Sequence, residues 1–266
     1  EALSENRLPK TKLIFGNGMA GRAGGLASST VVEKMIFDND RPFVVAPEKI
    51  RRYDDGVNNF YSNSKSFPSG QANQSAWFTM LMAMALPELG PQLLARSSEV
   101  GMNRLVMGVH YPLDIIGGRM TGSAAAADRW NDPKMRKAIQ LVGQEIRSEL
   151  EWRAGMPLAD AIAQDIPYRS DEQAVQEYTK QLSMGFEVIY DTEAEMIVPK
   201  AAPDLLLPFF PGLNYNQRTE ILRQTAISSG SPLDNQGSQG SWQRLNFALA
   251  MVSNVQLLED GGIIIN

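Results

Sequence analysis

The chain has 266 residues, 43% of them hydrophobic and 21% charged, with a formal net charge of −5 and no cysteine. This length and balance support a sizeable buried core and exclude a chain too polar to fold. The acidic balance argues against a nucleic-acid partner, which needs a broad positive field, and the absence of cysteine excludes disulfides, thiolate catalysis and cysteine-held metals.

From the N-terminus, the chain opens at Glu1 without Met and without a signal-like apolar segment, so a processed or trimmed N-terminus is expected, and localisation, secreted or periplasmic included, stays open. Apolar runs at 11–15 (TKLIF) and 42–47 (PFVVAP) read as strand-like. Elsewhere helical periodicity dominates, and helices are predicted over 27–37, 71–88, 112–127, 133–153, 170–183, 216–228 and 240–256. Start signals support three of them: Pro112 at a first helical position, Asp132 before Pro133, and Ser170 with Gln173 three residues on. The run AWFTMLMAMAL reads as core, and the longest apolar stretch, about ten residues, is far short of the ~20 that cross a bilayer, so a soluble chain is expected. SELEWRAGMP and the acidic stretch 187–195 read as solvated surface, and LLLPFFPGLNY as packing between helices. The expected fold is a mainly α helical bundle with a soft boundary near residue 155.

FGNGMAG places Gly16, Gly18 and Gly21 in a G-x-G-x-x-G pattern after a strand-like run, with Asp38 and Asp40 about twenty residues downstream. A dinucleotide fold needs further strand–helix alternation, and residues 65–190 supply long helices instead. The glycines are therefore read as loop or packing glycines.

Three other segments carry residues suited to holding a tetrahedral oxyanion beside a nucleophile. KMIFDNDRP supplies Lys34 and Arg41. PSGQ supplies Ser69 and Gly70 at a helix start, whose dipole favours anions, followed by Gln71. NRLVMGVHYPLD supplies Arg104, His110 and Asp114. Guanidinium groups match phosphate oxygens in forked contacts. His110 is the only histidine, and Asp114, in the first turn of the helix that Pro112 begins, can accept from one ring nitrogen and leave the other free to attack phosphorus.

The pattern K-x6-RP, PSG, R-x5-H-x3-D across residues 34–114 resembles the type 2 phosphatidic acid phosphatase superfamily, which includes bacterial class A non-specific acid phosphatases and vanadium haloperoxidases. The resemblance implies that Lys34, Arg41, Ser69, Gly70 and Arg104 bind phosphate. It also implies that His110 becomes phosphohistidine and that Asp114 orients it. With the soft boundary near residue 155, the chain is read as a phosphatase-like helical core, 1–155, and a helical C-terminal extension, 156–266, packed on the same domain; the resemblance itself says little beyond about residue 130. Two positions depart from the family pattern: Gln71 stands where the family has histidine after PSG, and Asn103 where it has serine before the arginine. In the family the histidine after PSG protonates the departing oxygen, which an amide cannot do. The expected partner is a small phosphorylated or other anionic substrate. No metal is needed, and vanadate would be the cofactor only if the chain resembles the haloperoxidases in chemistry. Acyl or phosphoryl transfer, phosphate binding without turnover, and an engineered inactive variant stay open, as do the physiological substrate and the oligomeric state.

Overall fold

Proline and polar caps set most of the helix starts. Pro9 opens α1 (Pro9–Phe15), Val31–Phe37 forms α2, and Pro42 opens the single turn α3 (Pro42–Val45). Ser69, after a cis Phe67–Pro68 peptide, caps α4 (Gly70–Ala85) by accepting from the Ala72 N–H at 3.2 Å. A short 3₁₀ turn over Pro87–Leu89 folds the chain back into α5 (Gly90–Val106). Pro112 opens α6 (Pro112–Asn131), and Asp132 caps α7 (Pro133–Ala154) through the N–H groups of Lys134 and Met135. Then follow α8 (Leu158–Gln164), α9 (Asp171–Ser183) with its Ser170–Gln173 capping box, and α10 (Tyr215–Gln224) with the equivalent Asn214–Gln217 box. The chain ends with α11 (Phe247–Met251) and a hairpin of β1 (Val255–Leu257) antiparallel to β2 (Ile263–Ile265), with Val255 opposite Ile265. The structure, a computed structural model, describes residues 1–16, 24–25, 28–51, 64–164 and 169–265.

The fold is mainly α, as expected. Trp77, Met80 and Leu81 of α4, Trp130 of α6, Ile139 and Val142 of α7, and Leu182 of α9 share one core with Leu205, Leu206, Ile221, Leu222 and Phe247. Each such side chain contributes about 1.5–3 kcal/mol by leaving water. Among the described residues no helix is long and apolar enough to cross a membrane. α4 and α6 cross at backbone distance because α6 carries glycines: a Cβ on Gly118 would lie 2.5 Å from the Ser69 carbonyl oxygen, and one on Gly122 would lie 2.4 Å from that of Asn73.

Several sequence expectations need correction. The runs at 11–15 and 42–47 are helical turns, α1 and α3, each opened by a proline that pre-sets helical φ; α1 buries Thr11, Ile14 and Phe15 at helical spacing. The 27–37 helix begins at Val31, and residue 27 lies outside the described residues. The 71–88 helix stops at Ala85 ahead of Pro87. The 240–256 helix is confined to Phe247–Met251, with the Val255–Leu257 strand after it. α5 and α8 are additional helices. Glu149 of SELEWRAGMP is not solvated surface: it takes Arg7 at 2.9 Å and Arg153 at 2.6 Å, with 10% of its side chain exposed. Gly16 ends α1 in ordinary right-handed geometry, while Gly18 and Gly21 lie outside the described residues. Lys65 bridges Asp38 at 2.9 Å and Asp40 at 2.8 Å, which ties up the two carboxylates of the dinucleotide pattern.

Candidate active site

α6 begins where it does because Pro112 cannot continue a preceding helix and holds Tyr111 extended, at ψ 159°. That places His110 just before the helix and Asp114 in its first turn. Asp114 Oδ2 lies 3.0 Å from His110 Nδ1 and also accepts the Tyr111 N–H at 2.8 Å. Both side chains are nearly sealed, at 3% exposure for His110 and 1% for Asp114. With Nδ1–H donated to the carboxylate, the neutral ring carries its lone pair on Nε2.

Two groups meet that nitrogen. Arg41 Nη1 stands 3.1 Å away and Gln71 Oε1 3.2 Å away. Burial, opposed by the Asp114 hydrogen bond and reinforced by the charges of Arg41 and Lys34, holds the imidazole below its usual range. The neutral, nucleophilic form is therefore favoured. Facing it, the Gln71 amide suits the lone pair when its NH₂ donates, and suits an Nε2–H when its oxygen accepts.

Arg41 is buried at the hub of the site. Its Nε donates to the Ser64 carbonyl at 2.6 Å and its Nη1 to the Val109 carbonyl at 2.8 Å, tying residues 64–66 to the segment carrying the imidazole. Lys34 reaches from α2 to donate to the carbonyls of Lys65 and Ser66, the second at 3.1 Å. Burial and the neighbouring Arg41 push its ammonium down to about 8. Ser69 is fully buried, and its N–H donates to the Asp114 carbonyl at 2.9 Å, so the start of α4 is bonded directly to the start of α6. Gly70 and Gln71 form the first turn of α4, whose N–H groups lack intrahelical acceptors. Arg104, in the last turn of α5, lines the same groove as Gln71, and its carbonyl accepts the Val109 N–H at 3.2 Å. Asn103 beside it is exposed.

Of the residues singled out in the sequence, Arg41, Gln71 and Asp114 contact the imidazole directly, Lys34 acts on it by charge, and Arg104 shares a groove with Gln71. Sequence reasoning missed the carbonyls of residues 64–66 that position Lys34 and Arg41, and missed Asn39, which donates to Ser66 Oγ at 3.1 Å. The run YSNSKS is polar enough to mark a loop, but a backbone acceptor has no residue signature.

Comparison with known proteins gives the same grouping. The PAP2 superfamily profile matches residues 11–137. The non-specific acid phosphatase of Salmonella typhi is 27% identical over 121 residues, 46% of this chain and 48% of that protein. That of Providencia stuartii is 27% identical over 146 residues, 54% and 56% of the two chains. The chain therefore aligns with about half the length of the curated relatives it matches. Over residues 11–137, then, this chain is similar to the PAP2 superfamily.

Proposed function

We propose that this protein hydrolyses phosphomonoesters through a phosphohistidine at His110, with Gln71 in place of the usual general acid. The reading is carried by the imidazole itself: Nδ1 is held by Asp114 while Nε2 faces Arg41 and Gln71 in a cationic pocket. Nε2 attacks phosphorus, the ester P–O bond breaks, and the leaving oxygen takes its proton from water. Water then attacks the phosphohistidine, the N–P bond breaks, and inorganic phosphate departs. Charge on the phosphoryl oxygens is neutralised by Lys34, Arg41 and Arg104, helped by the positive end of α4. The similarity to non-specific acid phosphatases supports the reading.

The test is rapid mixing with 4-nitrophenyl phosphate, quenched into base, with peptide mass spectrometry. Expected are a nitrophenolate burst approaching one per chain and a phosphate on His110. No burst and no phosphohistidine would overturn nucleophilic catalysis. One observation favours a second reading, anion binding without turnover: the side chain nearest Nε2 on the α4 side is an amide, which cannot shuttle a proton. Phosphate binding in calorimetry with no phosphohistidine from any aryl phosphate would select it.

A further inference from the structure

Arg119, on α6, is a cation that the candidate site does not use. Its Nη2 donates to the Leu182 carbonyl at 3.0 Å and, at 3.5 Å, to that of Gln243, and its guanidinium also donates to the Tyr178 hydroxyl. Among the described residues no carboxylate pairs with it. Burial pushes the guanidinium below its ordinary value, opposed only by Tyr178, whose own hydroxyl is pushed up by burial and stays neutral. An arginine keeps its proton in a protein, so α6 holds a charge among dipoles. Removing a charge from water is costly unless an opposite charge meets it.

Arg119 lines a cavity of about 10 Å³ between α4, α5, α6 and α9, walled also by Ala72, Ser98, Gly101, Ile115 and Gln181. α5 and α6 close on it because Gly101 carries no Cβ, which would lie 2.6 Å from Ile115 Cγ2. Two polar side chains of this wall end without partners. Ser98 Oγ, on a residue 7% exposed, and Gln181 Oε1, on one 6% exposed, make no hydrogen bond among the described residues. The neighbouring Ser97 hydroxyl, by contrast, is bonded to Ser75 Oγ at 3.1 Å, and Gln181 commits its Nε2–H to Glu177. A free hydroxyl and a guanidinium on one small cavity are a pair of donors. Arg119 is half-buried, which leaves a guest a route in.

Size selects the guest. Room of this order admits one water or one ion little larger than water, and excludes phosphate, sulfate and organic carboxylates. Charge then decides between the two. Water leaves the guanidinium without an opposite charge, whereas a monovalent anion neutralises it and accepts from both donors. The Gln181 carbonyl oxygen opposes an anion, but it sets a partial charge against the full charge of Arg119.

We propose that this cavity is a chloride site, in which one halide ion accepts from the Arg119 guanidinium and the Ser98 hydroxyl. Bound there, the ion joins α5 and α6 to α9, so chloride is a structural ligand that fastens the C-terminal part of the chain to the helix that begins beside His110. The described lining shares no residue with the phosphoryl pocket proposed above, and neither reading depends on the other.

Crystals of the full chain soaked in sodium bromide locate the ion by anomalous scattering, and a bromide peak between Arg119 and Ser98 is expected. A water at that position, or bromide only in the pocket of Lys34 and Arg41, overturns the site. In solution, chloride at about ten times its dissociation constant, replacing gluconate at constant ionic strength, should raise the melting temperature by about 3–6 °C. Bromide should act alike. The gain should vanish in Arg119→Met and shrink in Ser98→Ala, which deletes an unpartnered hydroxyl and so spares the fold even where loss of the arginine does not. No gain in the unaltered chain, or a gain of the same size in Ser98→Ala and in a folded Arg119→Met, places any chloride effect elsewhere and overturns the proposal.

Discussion

Replacing Gln71 by histidine should raise the turnover of an alkyl phosphate such as glycerol 2-phosphate by about 10²- to 10⁴-fold, the usual worth of general acid–base help. That corresponds to about 2.7–5.4 kcal/mol of barrier. The Gln71 amide already lies 3.2 Å from His110 Nε2, so a ring at this position stands beside the phosphoryl group proposed to bind there. Space is available, because the half-buried side chain opens on a groove of about 430 Å³. An alkoxide is a poor leaving group unless protonated, whereas nitrophenolate departs unaided, so 4-nitrophenyl phosphate should gain far less. The pH dependence follows from the surroundings. The introduced imidazole stands at the positive end of α4 and near Arg41 and Arg104, which disfavour its charged form and place its pKa below the ordinary ~6.5. Its acid form is therefore populated at acidic pH, and the gain should shrink as pH rises toward neutrality. Steady-state release of phosphate from the two substrates, measured for both proteins from acidic to neutral pH, checks this. An unchanged glycerol phosphate rate, or an equal gain on both substrates, would refute the missing-acid account.

Asp114→Ala should slow phosphohistidine formation on the order of 10²- to 10⁴-fold by stopped flow, since His110 loses the group that sets its tautomer. It should also destabilise, because Nδ1–H and the Tyr111 N–H both lose a buried acceptor, at about 1–3 kcal/mol each; Asp114→Asn, which keeps an acceptor oxygen, should unfold later. Lys34, held down to about 8, carries its charge below that pH and loses it above, so phosphate affinity by calorimetry should fall as pH rises through 8. Lys34→Met should bind about 10- to 100-fold more weakly at pH 7 and lose that inflection, the worth of one charge-assisted hydrogen bond. Because His110 must be neutral to attack and is held below its usual range, the first step on 4-nitrophenyl phosphate should lose rate only below about pH 6.5. Gly118→Ala forces a methyl to 2.5 Å from the Ser69 carbonyl oxygen and should cost about 1–3 kcal/mol, lowering the melting temperature by about 2–12 °C.

The residues of the candidate site were legible because their chemistry is carried by side chains in short, dense motifs, and because a single histidine leaves one choice for the imidazole. The architecture was legible where caps and apolar period agree, as at Ser170 and Asp132, and illegible where they conflict. α5 went unread because it opens on Gly90-Pro91 and buries Ser97, Ser98 and Gly101 beside Leu94 and Ala95, so small and polar residues interrupt the apolar period of its inward face. α1 and α3 span two turns or fewer, too short to display a helical period against their prolines. The C-terminal segment misled in the opposite sense: Trp242, Leu245 and Phe247 look like a helical stripe, yet residues 241–246 run irregularly through the interior, with Gln243 donating to the Leu182 carbonyl at 3.1 Å.

What the motifs do not encode is their mutual register, and here the packing of α4 on α6 decides. The first turns of α4 and α6 lie more than forty residues apart, yet the Ser69 N–H bonds the Asp114 carbonyl at 2.9 Å. That bond forms only if the two backbones touch, and they touch because Gly118 and Gly122 place no Cβ between the helices. Farther along the same contact, Asn73 donates to Thr121 Oγ1 at 2.9 Å, pinning the crossing against sliding along either axis. A shift of even one residue along α4 moves Gln71 ~1.5 Å and turns it by roughly a quarter of a circle, enough to take its amide out of reach of Nε2. The glycines of α6 therefore belong to the site's precision as much as to its stability. A substitution there should lower reactivity at His110 even at temperatures where the chain stays folded.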